Sequence, residues 1–273
     1  MVLLRSFGEG FKKSVNGRMV VLSMGVFLAP NVSVFLMGKR LPLGDRGEVI
    51  KIIHAAVNPI VPAQSRDVLG FLPLFLALIV GLYSLKHEWE ISSRLAYLLG
   101  RFTGHAVVLS VASFVSVITG FLILVHLGAP LDDSLLRTVL IIGALYSLVV
   151  IQLLALGYFV SAIIKNTSNR LLVGIFAGSM LLIAIPFAVA IIFTLMYAPM
   201  GELVKDPAIV REETWRYITY ILPFEPTLQM NEAILMLGEQ KSRANVLNLV
   251  VFSVFYIAAA AFFFSRANRS SPG

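Results

Sequence analysis

Six stretches of this chain carry no Asp, Glu, Lys or Arg, and each is long enough to cross a bilayer: 19–38, 68–85, 102–127, 138–164, 171–198 and 245–264. At 1.5 Å rise per residue, about 20 residues cover a hydrocarbon core roughly 30 Å thick. Lipid offers the backbone no hydrogen-bond partners, so apolar runs of this length must be helices. The pattern predicts an all-α, polytopic membrane protein with six transmembrane helices filling 19–264. Composition agrees: 58% of residues are hydrophobic and 14% charged, against about 45–50% and about 25% in a soluble domain.

Six spans place both termini on one side, together with 86–101 and 165–170. The other side holds 39–67, 128–137 and 199–244. The 22 Lys and Arg residues divide evenly between the two sides. The terminal side is shorter, so its basic density is higher, and Arg5, Lys12, Lys13 and Arg18 precede the first span. The positive-inside rule then predicts cytoplasmic termini in a multi-pass protein of a cell membrane, the prokaryotic cytoplasmic membrane being the expected one. The same placement accounts for the net charge of +7 without a nucleic-acid partner. The first apolar run is too long for a signal peptide and lacks a small-x-small cleavage site, so it reads as an uncleaved span.

Chemistry is sparse. The chain has no cysteine, hence no disulfide or thiolate site. It contains no Walker loop and no His-Glu-x-x-His zinc helix. No span carries a carboxylate, which ion-coupled carriers and intramembrane aspartyl proteases require. His105 and His126 sit near opposite ends of the third span, too far apart to share a metal. The expectation is a protein that is not an enzyme and holds no cofactor or metal of its own.

The non-membrane segments carry more information. In 1–18, Leu3, Leu4, Phe7, Phe11 and Val15 fall on one side of a helix, with Arg5, Lys12 and Lys13 off it. That pattern fits an amphipathic interfacial helix; Gly8, Gly10 and Gly17 weaken it, and a basic tail that only sets topology is the alternative. In the connector 86–101, Ile91, Leu95 and Leu98 form a helical stripe and Glu90 with Arg94 an i, i+4 pair. This reads either as a solvated link or as a docking helix for a cytoplasmic protein, through Glu88, Trp89, Glu90, Ile91 and Arg94. The outer segment 199–244 is broken by prolines, and 228–237 has helical apolar spacing too short to span, as in a re-entrant or surface helix; it is a gate or a cap. The tail 265–273 is short.

Within the spans, Gly174, Gly178 and the following Ser179 allow close helix approach, either inside the chain or in a dimer. Ser110, Ser113, Ser116, Gly143 and Ser147 repeat small residues in the third and fourth spans. Pro30 and Pro186 are expected to bend the first and fifth spans. Asn31 and Gln152 are rare amides that either line a polar path or hydrogen-bond between helices.

The order of these features resembles the membrane subunit of type-2 ABC exporters. Its connector has an acidic start, a run of leucines and then Gly-Arg, matched here by Glu88-Trp89-Glu90, Leu95, Leu98-Leu99 and Gly100-Arg101. The close of span four is similar in Leu156-Gly157-Tyr158-Phe159-Val160-Ser161, and so is Leu222-Pro223-Phe224-Glu225-Pro226 before the last span. Gly-Thr and Pro-x-Ser-Arg elements common in that connector are replaced by Ser92-Ser93-Arg94 and Ala96-Tyr97. Permeases associated with nitrous oxide reductase maturation and general multidrug-type permeases are equally similar. The resemblance implies an exporter permease without its own ATPase site, paired with a second copy or a homologue. Separate soluble ABC ATPase subunits would supply ATP and Mg and dock on the connector. A non-transporting membrane anchor that recruits a soluble partner is the alternative.

Overall fold

The structure is a computed structural model that describes residues 2–57, 68–85, 93–164, 166–185, 188, 222–235 and 240–266. Every regular element among them is helical. They are α1 (Val2–Ser14), α2 (Gly17–Leu28), α3 (Asn31–Gly38), α4 (Arg46–Val57) and α5 (Phe71–Ser84), the last preceded by a 3-10 turn at Val68–Gly70. Next come α6 (Arg94–His126), α7 (Asp133–Ile163) and α8 (Thr167–Ser179), which runs into a π turn at Met180–Ala184. The last are α9 (Pro226–Leu235) and α10 (Gln240–Arg266).

Four of the described stretches are long and apolar enough to cross a membrane: Gly17–Gly38, Arg94–His126, Asp133–Ile163 and Arg243–Arg266. The second and fifth expected spans appear as shorter apolar helices, Phe71–Ser84 and Ser168–Ala184. The central helix is α7, with 61% of its apolar stretch buried against 17% for α10. The outer face of α10, with Leu247, Val251, Val254 and Phe255, is open, as a lipid-facing surface must be.

Local sequence explains where the helices start and stop. The Asn16, Asp132 and Asn166 side chains accept from the amides of Met19, Leu135 and Ser168, capping α2, α7 and α8; this satisfies donors that a first turn leaves open. At the end of α6, Gly128 takes φ +109°. Its amide reaches the Val125 carbonyl at 3.0 Å and that of Ala129 reaches Leu124 at 2.9 Å, a closing pattern that favours glycine. Pro186, expected to bend the fifth span, lies outside the described residues.

Three differences from the sequence expectation are physical. First, α6 begins at Arg94, not near residue 102, and its 33 residues make a rod about 50 Å long. The second half of the connector is therefore the opening of a span helix. Second, Pro30 does more than bend the first span, as expected of it: the span is two helices, α2 and α3, meeting at Ala29-Pro30. Third, the helix of the second span is only 14 residues, about 21 Å. Gly81 of α5 lies against Gly157 of α7, so α5 accompanies only the connector half of α7. The other half is covered by α4, which starts at Asp132 (Arg46 Nε to Oδ2, 2.9 Å) and is buried from Ile52 through Val57.

Candidate coupling site at the connector end

Of the five docking candidates, Glu88, Trp89, Glu90 and Ile91 lie outside the described residues. Arg94 opens α6, and its guanidinium sits 6.0 Å from the Phe264 ring centroid at the end of α10. The described chain therefore frames the connector from both sides, with Leu85 before it and Ser93 after it.

The frame behind Ser93 is the pairing of α1 with α6. Ser6, Gly10 and Ser14 recur every four residues and are the buried face of α1. Gly100 and Gly104 provide the matching notch on α6. A Cβ at Gly10 would strike the Tyr97 carbonyl, and one at Gly100 would strike the Phe7 carbonyl, so the two backbones touch directly. Ser14 Oγ spans the pair, at 2.9 Å from the Gly10 carbonyl and 3.0 Å from the Arg101 carbonyl. Lys13 and Arg101 lie 5.4 and 5.8 Å from the Tyr97 ring centroid, and Arg101 also donates to the Tyr97 hydroxyl at 3.3 Å. The apolar side, Leu3, Leu4, Phe7 and Val15, stays exposed, where a membrane surface would meet it. Of the three glycines that weaken the helix in the sequence, Gly10 is thus part of its packing face, while a Cβ at Gly8 or Gly17 would meet nothing within 4 Å.

Arg170 forms the frame before Leu85. It belongs to the first turn of α8 and is only 4% exposed. Nε donates to the Ile164 carbonyl at 2.9 Å, and Nη1 to those of Leu82 and Leu85 at 3.2 and 2.9 Å. One planar fork therefore ties the ends of α5 and α7 to the start of α8, a geometry suited to guanidinium. Gly174 and Gly178 extend the same face of α8, seating the Leu82 and Leu78 side chains of α5. The glycine pair is thus used inside the chain, with Ser179 half-buried beside it. One turn above the Arg170 fork, His105 Nδ1 lies 3.1 Å from Ser84 Oγ and 2.8 Å from the Tyr158 hydroxyl, joining α5, α6 and α7.

Asn31 and Gln152 both connect elements. Asn31 Nδ2 donates to the Ser116 carbonyl at 3.1 Å, while the Ser116 hydroxyl donates to the Phe27 carbonyl. The proline break in the first span is thereby held against α6. Gln152 Nε2 donates to the Phe224 carbonyl at 2.7 Å. It anchors the Leu222–Pro226 stretch and the helix α9 behind it, which is buried at Thr227–Met230 and packs on α7 and α10. Glu225 caps α9, its Oε1 accepting from the Thr227 hydroxyl at 2.7 Å and Oε2 from the Leu228 amide at 2.5 Å. Ser113 and Ser147 meet at 2.8 Å between α6 and α7.

Among the described residues no three His, Cys, Asp or Glu side chains are grouped to hold a metal ion. Sequence reasoning missed Arg170, Gly100 and Gly104. The available signals were the four-residue spacings Arg170-Gly174-Gly178, Ser6-Gly10-Ser14 and Gly100-Gly104.

A helical bundle with several membrane crossings defines an all-α, polytopic membrane protein. Residues 92–269 match the ABC-2 family transporter protein, more than half of the chain, and the protein belongs to that family. Comparison with curated proteins gives no match. Membership makes the chain a transport subunit, not an enzyme.

Proposed function

We propose that this chain is the permease subunit of an ATP-driven exporter, with α5 and α8 as its second and fifth spans and both termini in the cytoplasm. Two copies, or this chain and a homologue, pair in a cell membrane. Two separate ATPase subunits carrying ATP and Mg dock at Glu88, Trp89, Glu90, Ile91 and Arg94. ATP binds the closed arrangement of the ATPase pair more tightly, and that difference in affinity is the free energy available to shift the spans. Closure displaces the connector and switches access from one side of the membrane to the other. The observation that carries this reading is the double frame: residues 86–92 are bounded by Leu85, fastened through Arg170, and by an α6 start braced by α1. A force applied there reaches α5, α6, α7 and α8 together. Family membership supports it.

The test is co-purification of the tagged chain in mild detergent. The expected result is recovery of a Walker-motif ATPase, lost when Glu88→Lys and Glu90→Lys are combined. Recovery of the intact chain with no ATPase would sink the exporter reading and leave a membrane anchor for another soluble partner.

A further inference from the structure

We propose that Arg170 is the positioning residue that transmits connector movement from α5 to α8 during the transport cycle. The inference rests on the permease reading above and adds a residue to it. Three observations combine. Arg170 sits in the first turn of α8, where a helix's own dipole disfavours a cation. It instead donates to Leu82 and Leu85 at the end of α5 and to Ile164 after α7. Its placement therefore serves neighbouring helices, whose terminal carbonyls favour positive charge. Burying a guanidinium is costly unless its donors are satisfied, and plain helix capping does not need it, since water or a glycine turn closes most helices.

The position of Leu85 gives the arrangement its direction. That residue directly precedes the connector, so a pull on residue 86 acts first on the carbonyl that Arg170 holds. From Arg170 the load passes into α8 along a face already keyed to α5, with Leu82 against Gly174 and Leu78 against Gly178. The contact between α5 and α7 cannot slide easily, because Gly81 and Gly157 bring the two backbones together. The contact between α5 and α8 combines apolar packing, with Leu171 and the two glycine notches against Leu78 and Leu82, and the hydrogen-bonded fork, which is the part that holds the Leu85 carbonyl next to the connector.

The chain has no cysteine, so Leu131→Cys and Ile183→Cys provide two unique labelling sites, one in the loop after α6 and one beyond α8, both exposed. Spin-label distances are measured on the purified complex with its co-purifying ATPase, without nucleotide and after trapping with ATP, Mg and vanadate. The expected result is an ATP-dependent distance shift in the parent protein. Arg170→Gln loses the shift while keeping ATPase binding and ATP hydrolysis, with a melting midpoint lowered by the bonds lost to buried carbonyls. Arg170→Lys, which reaches fewer of the carbonyls, retains part of it.

An undiminished shift in Arg170→Gln, with the ATPase bound, overturns the inference. So does a joint fall of melting midpoint, ATPase binding and shift in both variants, which would make Arg170 a folding residue only. A parent protein that recovers no ATPase, or shows no shift with ATPase bound, refutes the permease reading itself, and the role of Arg170 with it.

Discussion

Gly8 and Gly10 stand two residues apart in α1, and substituting each with alanine is expected to have opposite effects. Relative to glycine, alanine in a helix interior gains about 1 kcal/mol of helix propensity. Gly8 is exposed, and a methyl added there meets nothing within 4 Å, so Gly8→Ala keeps that gain whole. At Gly10 the methyl would strike the Tyr97 carbonyl and lie 3.0 Å from the Arg101 amide. Both are backbone atoms that cannot rotate aside, so α1 must back away. Overpacking of this kind costs about 1–3 kcal/mol, and the Ser14 bond to Arg101 adds about 1 kcal/mol when it breaks. Net of propensity, Gly10→Ala loses about 2 kcal/mol. The assay is amide hydrogen exchange across 2–14 in lipid nanodiscs, where 1–2 kcal/mol corresponds to a factor of about 5–30. Exchange is expected to slow about fivefold in Gly8→Ala and to quicken about thirtyfold in Gly10→Ala. Equal protection in the two variants would show that α1 does not sit on α6 through its glycine face.

Three further outcomes follow from the geometry. Asn31→Ala and Ser116→Ala should each lower stability in thermal unfolding by about 1–3 kcal/mol, the first by freeing the buried Ser116 carbonyl and the second by freeing that of Phe27; an unchanged midpoint in both would remove these bonds as the ties between the first span and α6. Gln152→Leu frees the Phe224 carbonyl and should raise hydrogen exchange in 226–235 while leaving 2–14 unchanged; no rise would mean that α9 is held elsewhere. The Asp132 carboxyl lies below its ordinary 3.8, held charged first by the Leu135 amide, then by the Ser134 hydroxyl and Arg46. Its contribution is present above that value and fades as the pH falls through the lower folded one, so the melting midpoint should drop as the pH falls below about 4. Asp132→Asn should flatten the drop, and an unchanged profile would remove Asp132 from the cause.

Much of the bundle was legible because hydrocarbon imposes a simple rule: a long charge-free run is a helix. The rule reads α6, α7 and α10 directly. It misses α4, which carries Arg46, Glu48 and Lys51 and looks like a loop. Those charges sit on an accessible side, with Lys51 paired to Glu48 at 2.7 Å, while the buried residues are apolar apart from His54. Pro30 was legible as a break, since a missing N–H is a local fact. Arg170 was not, because in the sequence it is one more basic residue in a short turn, and only burial distinguishes it from a topological charge. Nor was the role of Gly10, Gly100 and Gly104, since a glycine's value as a notch depends on a partner helix far away in the chain.

That distance has a consequence for biogenesis. Ser14 and the Arg101 carbonyl it binds are separated by 87 positions. At roughly 5–20 residues per second of synthesis, α1 emerges several seconds before its seat on α6 exists. During that interval the leucine side can keep the new helix on the lipid surface, while the serine–glycine side waits unfilled. The two faces thus act in succession: one holds the nascent N-terminus at the bilayer, and the other locks it once the third span has arrived. A chain with only the leucine face would reach the membrane and never find its place on the bundle.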